Sequence, residues 1–146
     1  MSMLSDAQRA QIADRLAGMV HPVRLALYVQ SIDCETCDET QRLLTQLPDI
    51  SPLISVDEHN LVLDRDRAAV HHVDRAPSIV VLGVENDEPK DYGIRFVGAP
   101  AGYEFSALLD AVLTVSRREP DLSEATLGKL ATLTAPVDFQ VFSTPT

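Results

Sequence analysis

Cys34 and Cys37, in the stretch "SIDCETCDET" at residues 31–40, are the only two cysteines of the chain. Thiols spaced C-x-x-C can form a redox dithiol, supply half of a metal site, or serve as ordinary buried residues. Structural zinc takes four ligands, commonly two such pairs or one pair with histidines three to five residues apart. The four histidines, His21, His59, His71 and His72, do not have that spacing, and adjacent histidines on a helix point about 100° apart. The pattern therefore favours a dithiol, with a pair of inert buried cysteines as the plain alternative. Neither a bound metal nor a resident cofactor is expected.

A dithiol needs elements that hold it. "VRLALYV", Val23 to Val29, is short and almost wholly apolar, which reads as a strand buried on both faces. The loop "QSID" leads to Cys34, and "CETCDETQRLLTQLP" reads as a helix, with Leu43, Leu44 and Leu47 inward and Pro48 just past its end. That places Cys34 in the first helical turn, beside unpaired N–H groups and the positive end of the helix dipole, where a thiolate is stabilised. Cys37, one turn further in, is positioned as the resolving thiol. Asp33, Glu35, Asp38 and Glu39 crowd the pair with negative charge, which opposes ionisation of the thiol. A modestly acidic nucleophile suited to reduction or isomerisation is expected.

Around this unit, Ser5 with Gln8 forms a capping box for a helix carrying Ile12, Leu16, Met19 and Val20, ending near Val20 before His21-Pro22. A second strand is expected at Leu53 to Asp57, and a weaker helix within residues 61–73. "APSIVVLGV" and "YGIRFVG" read as two strands of a hairpin, separated by the acidic turn "ENDEPKD". A helix follows from Tyr103 to Arg117. The order predicts an α/β fold with a mixed four-stranded sheet and helices on both faces. In the tail, Asp121 with Glu124 reads as a capping box, followed by a helix through Leu127 and Leu130 and a strand from Val137 to Phe142. "APVDFQVFSTPT" repeats the pattern of "HPVRLALYVQSIDC", as the start of a second copy would.

The 146 residues, 45% apolar and 23% charged, suffice for one globular domain. A net charge of −10 with two lysines argues against nucleic acid. The N-terminus lacks the basic start and apolar stretch of a signal peptide, and no apolar run approaches the roughly 20 residues of a membrane span. A cytoplasmic location is expected.

A C-x-x-C at a strand-to-helix turn, an Ala-Pro opening the third strand in "DRAP", a hairpin and a closing helix together resemble thioredoxin and glutaredoxin. With "G-x-PAG-x-EF" at residues 98–105 and the terminal "VFSTPT", the chain more specifically resembles the protein disulfide oxidoreductases, two thioredoxin folds in tandem. The resemblance implies a thiol–disulfide oxidoreductase acting on protein disulfides, with Cys34 as nucleophile and Cys37 resolving. It implies a cis peptide before Pro77, Ala76 as the residue that pairs with substrate backbone, and Gly98 in the loop lining the groove, with Glu35 and Thr36 between the cysteines. Tyr28 stands where thioredoxin keeps a buried acid, and Glu35-Thr36 lacks the aromatic residue common in the family. The resemblance divides the chain into a thioredoxin/glutaredoxin-like domain at 1–119, and a linker helix and first strand of a second unit at 120–146. It also implies re-reduction by a thioredoxin-reductase-like flavoenzyme. The apolar terminal strand suggests a homodimer formed through it. A redox-weak docking or scaffold domain is the alternative function. The flavin-bearing component of alkyl hydroperoxide reductase, which also begins with tandem thioredoxin folds, is a weaker alternative, which a flavin domain downstream in the parent gene would reveal.

Overall fold

The structure, a computed structural model, describes residues 3–144. Four strands and six helices follow in the order α1 (Asp6–Leu16), β1 (Val23–Val29), α2 (Cys37–Leu44), α3 (Leu47–Ile50), β2 (Ile54–Asn60), α4 (Arg65–Val70), β3 (Ser78–Glu85), β4 (Glu88–Val97), α5 (Tyr103–Arg117) and α6 (Glu124–Leu130). The sheet order is β2-β1-β3-β4, with β1–β2 parallel and the other two pairs antiparallel. This is the mixed four-stranded sheet that the sequence pattern implies.

Strand β1 is central, and its period-2 alternation feeds two cores. Val23, Leu25, Leu27 and Val29 face the larger one, built with Ile12 and Leu16 of α1, Cys37 and Leu44 of α2, and Leu108 and Val112 of α5. Ala26 and Tyr28 face the smaller one, with Val80 and Leu82 of β3 and Ala68 of α4. That double burial explains why β1 reads as a continuous apolar run. Ser116, fully buried on α5, accepts from the Val20 and His21 N–H groups and donates to the His21 carbonyl at 2.6 Å, tying the start of β1 to α5.

Several boundaries differ from the sequence reading. The Ser5–Gln8 capping box is present, but α1 ends at Leu16, just before Gly18, a poor helix former. Pro48 does not lie past a helix end. It occupies the first turn of the short α3, where its missing N–H costs nothing. The hairpin turn is two residues, Asn86 and Asp87, both left-handed (φ 52° and 67°), so β4 begins at Glu88 and runs through most of the segment read as turn. The last helix is capped by Ser123, whose hydroxyl accepts from the Thr126 N–H, rather than by Asp121.

Among its described residues, the tail carries no strand. Residues 131–144 are irregular and exposed, with Phe139, Val141 and Phe142 each at least 87% accessible. A strand exists by pairing, and no described segment offers these residues a ladder partner. Among the described residues, no helix is long and apolar enough to cross a membrane.

Candidate functional site

The dithiol sits at the C-terminal end of β1, where the central strand hands over to α2. Cys34 and Cys37 are joined as a disulfide with Cα atoms 5.5 Å apart. The helix begins at Cys37, with Thr36 as N-cap. Cys34 thus lies before the helix in the preceding loop, not in its first turn. The reason is local. Asp33 is left-handed (φ 57°), and the Gln30 side-chain amide donates to the Ile32 carbonyl at 2.8 Å, closing the loop short of helical geometry. The helical register then starts from the Thr36 carbonyl, which accepts from both the N–H and the hydroxyl of Thr40.

The two sulfurs have unlike surroundings. Cys37 is 4% exposed and belongs to the main core, and its sulfur lies 3.5 Å from the Gln30 backbone N–H. Cys34 is only partly buried. Glu35 and Thr36 between them are exposed, as are Asp38 and Glu39.

Strand β2 extends to Asn60, three residues beyond its expected end at Asp57. That extension builds one wall of the site. A cavity of about 300 Å³ is lined by Gln30, Cys34 and Cys37 together with Gln41, Glu58 and His59. Gln41 of α2 donates to the Glu58 carboxylate at 2.6 Å, which holds the end of β2 against the helix that carries Cys37. Asn60 terminates the strand by accepting from the Val62 and Leu63 N–H groups, and its own N–H donates to Asp64. His59 and Glu58 were not recognised as site residues from sequence. No signal in the sequence marked them, because "DEHN" joins the strand only through the parallel register that sets His59 opposite Tyr28.

Tyr28, fully buried, sits between two imidazoles. Its ring centroid is 5.2 Å from that of His59 and 5.9 Å from that of His71, and its hydroxyl is hydrogen-bonded to His71 Nδ1 at 2.7 Å. Burial is the main cause that pushes the Tyr28 phenol up and both imidazoles down from their ordinary values, keeping all three neutral near pH 7.

Ala76, Pro77 and Gly98 come together at a neighbouring edge and do not line this cavity. The Ala76–Pro77 peptide is cis, and the Pro77 carbonyl accepts from the Gly98 N–H at 2.8 Å. Gly98 has φ +96°, a conformation only glycine adopts readily. A larger cavity of about 780 Å³ opens on the α4 side of the sheet, where Arg24, Arg65 and Arg67 alternate with Asp57, Asp64 and Asp66. Among the described residues, no group of three or more His, Cys, Asp or Glu is placed to hold a metal ion.

No family model matches the chain. It is 31% identical over 108 residues to the F subunit of alkyl hydroperoxide reductase from Staphylococcus aureus, covering 74% of this chain and 18% of that protein. The corresponding protein of Staphylococcus epidermidis is 30% identical over 105 residues, 72% of this chain. The chain thus spans about a fifth of the length of these relatives. Among solved structures, a protein disulfide oxidoreductase from Aeropyrum pernix superposes with TM-score 0.76 at 28% identity, over 88% of this chain and 55% of that one. The alkylhydroperoxide reductase protein AhpF of Enterococcus faecalis superposes with TM-score 0.77 over 89% of this chain and 61% of that one. At 22% identity it bears on the fold alone.

Proposed function

We propose, on the premise that this chain is a thioredoxin-like unit related to the disulfide oxidoreductases built of tandem such units, that it exchanges disulfides with protein substrates through Cys34 and Cys37. The observation that carries this reading is the asymmetry of the pair: one sulfur accessible ahead of the helix, the other enclosed at its start. Cys34 attacks a substrate disulfide as the thiolate and forms a mixed disulfide, and Cys37 then displaces the substrate thiolate and closes the Cys34–Cys37 bond. The substrate's disulfide is reduced to two thiols as the dithiol is oxidised. Ala76, cis-Pro77 and Gly98, with Glu35 and Thr36, form the surface on which an extended substrate segment lies.

In the same reading, residues 1–119 are the exchange unit and 120–146 lead into a second one. A thioredoxin-reductase-like flavoenzyme, or a flavin module in the parent protein, restores the dithiol, and the setting is cytoplasmic. Reduction of insulin by dithiothreitol tests the central claim. The intact chain accelerates it, and Cys34→Ser abolishes the acceleration. A Cys34→Ser chain as fast as the parent would leave the alternative, a docking unit whose support is the acidic rim of the dithiol and the exposed apolar tail.

A further inference from the structure

We infer that Gln30 is the positioning residue that holds Cys34 one turn ahead of α2 and so keeps its thiol only modestly acidic. The assignment rests on reading Cys34 as the exchange nucleophile. Gln30 reaches both halves of the dithiol. Its backbone N–H lies 3.5 Å from the Cys37 sulfur, and its side-chain amide donates to the Ile32 carbonyl at 2.8 Å and the Asp33 carbonyl at 3.4 Å. Those side-chain bonds go to backbone and not to sulfur, so opening the disulfide does not remove their acceptors.

Helix α2 starts later than its sequence allows. Thr36, its N-cap, makes no side-chain hydrogen bond to the first turn. Asp33, three residues earlier, is among the residue types that cap helices best, and a cap there would put Cys34 at the first helical position. Asp33 cannot serve while its backbone is left-handed at φ 57°, because an N-cap residue is extended and a left-handed residue interrupts a right-handed helix. That conformation is unfavourable for a residue with a side chain and persists only where its surroundings fix it. Gln30 fixes it, by gathering the carbonyls of the peptide units on either side of Asp33 onto one amide.

The chemical consequence falls on Cys34. Released from Gln30, the chain winds one more turn and Asp33 caps it. The Cys34 sulfur then lies beside unpaired N–H groups at the positive end of the helix, where a thiolate is stabilised. The other charges around the sulfur are Asp33, Glu35 and Glu39, Asp38 in its ion pair with Arg42, and Glu58 across the cavity. His59 also lines that cavity, with its ring beside Tyr28 and kept neutral by burial. All of these remain when Gln30 is replaced. Gln30 thus restrains the acidity of the nucleophile separately from the acidic residues.

The test reads the pH profile of Cys34 alkylation by iodoacetamide in the reduced full chain, resolved by mass spectrometry. Gln30→Leu and Gln30→Met keep most of the side chain's bulk and remove its amide. In both, the midpoint of the profile moves to lower pH, and the thiolate fraction below it is at least about threefold the parental one. The Cα chemical shifts of residues 33–36 move to helical values. In an Asp33→Gly background, glycine accepts the left-handed turn and offers no cap. Replacing Gln30 there leaves the midpoint where Asp33→Gly alone puts it, which separates position from the loss of the Asp33 charge. An unchanged or raised midpoint in both Gln30 variants overturns the assignment, and so does a fall of equal size in the Asp33→Gly background. A Cys34→Ser chain that reduces insulin as fast as the parent overturns the exchange reading instead, wherever the midpoint lies.

Discussion

Tyr28 is the most constrained side chain near the dithiol, with its ring between two histidines and its hydroxyl bonded to one of them. Tyr28→Phe keeps the packing and leaves His71 Nδ1 without its partner, so a loss of about 1–2 kcal/mol is expected from urea unfolding. The same cluster sets a pH dependence. Burial holds His59 and His71 below the ordinary histidine value of 6.5. On acidification the unfolded chain therefore gains these protons first. Stability is fully present above about 6.5 and is lost as pH falls below it toward the folded-state values. Asp91, lowered chiefly by its hydrogen bonds from Arg95, adds a second loss only as pH falls below the ordinary carboxylate range. Urea midpoints should drop between about pH 7 and 5.5, and the drop should shrink when both His59 and His71 are replaced by Asn.

At the scale of elements, two junctions hold the site in place. Ser116→Ala removes three hydrogen bonds that link α5 to the segment entering β1 and takes this partner from the part-buried Val20 N–H and His21 carbonyl, while the His21 N–H keeps the Ser116 carbonyl. A cost of about 1–3 kcal/mol is expected in thermal or urea unfolding. Gly98→Ala meets open space, so its penalty comes from the left-handed backbone at φ +96°. About 1–3 kcal/mol is expected from unfolding, and insulin reduction should slow as the Gly98–Pro77 contact shifts. Much at this scale was legible in the residues. β1 and α5 fall where their apolar patterns place them, because each buries a regular stripe. The extension of β2 was not legible, since "DEHN" is polar and becomes strand only by pairing with β1. The same gap hid His59, which is set beside Tyr28 through that pairing and not through nearness in sequence. Cys34's position outside the helix was hidden too, because loop closure by Gln30 depends on a side chain four residues away.

For the molecule as a whole, residues 117–144 contribute nothing to either core. A chain ending at Glu119 should therefore unfold at the same temperature as the full chain. Removing Leu122, Leu127, Leu130 and Phe139 to Phe142 takes away a run of accessible apolar side chains, of the kind that promotes association. Sedimentation should show the full chain heavier than a monomer and the shortened one monomeric. An unchanged mass would exclude association through the tail.

The tight turn at Asn86 and Asp87 has a practical consequence. Strand β3 starts beside cis-Pro77 at the dithiol end and runs eight residues away from it before that turn. At about 3.3 Å per residue, the tip stands more than 20 Å from the reactive edge. A fluorophore, affinity handle or surface tether attached there would leave the dithiol edge pointing into solution.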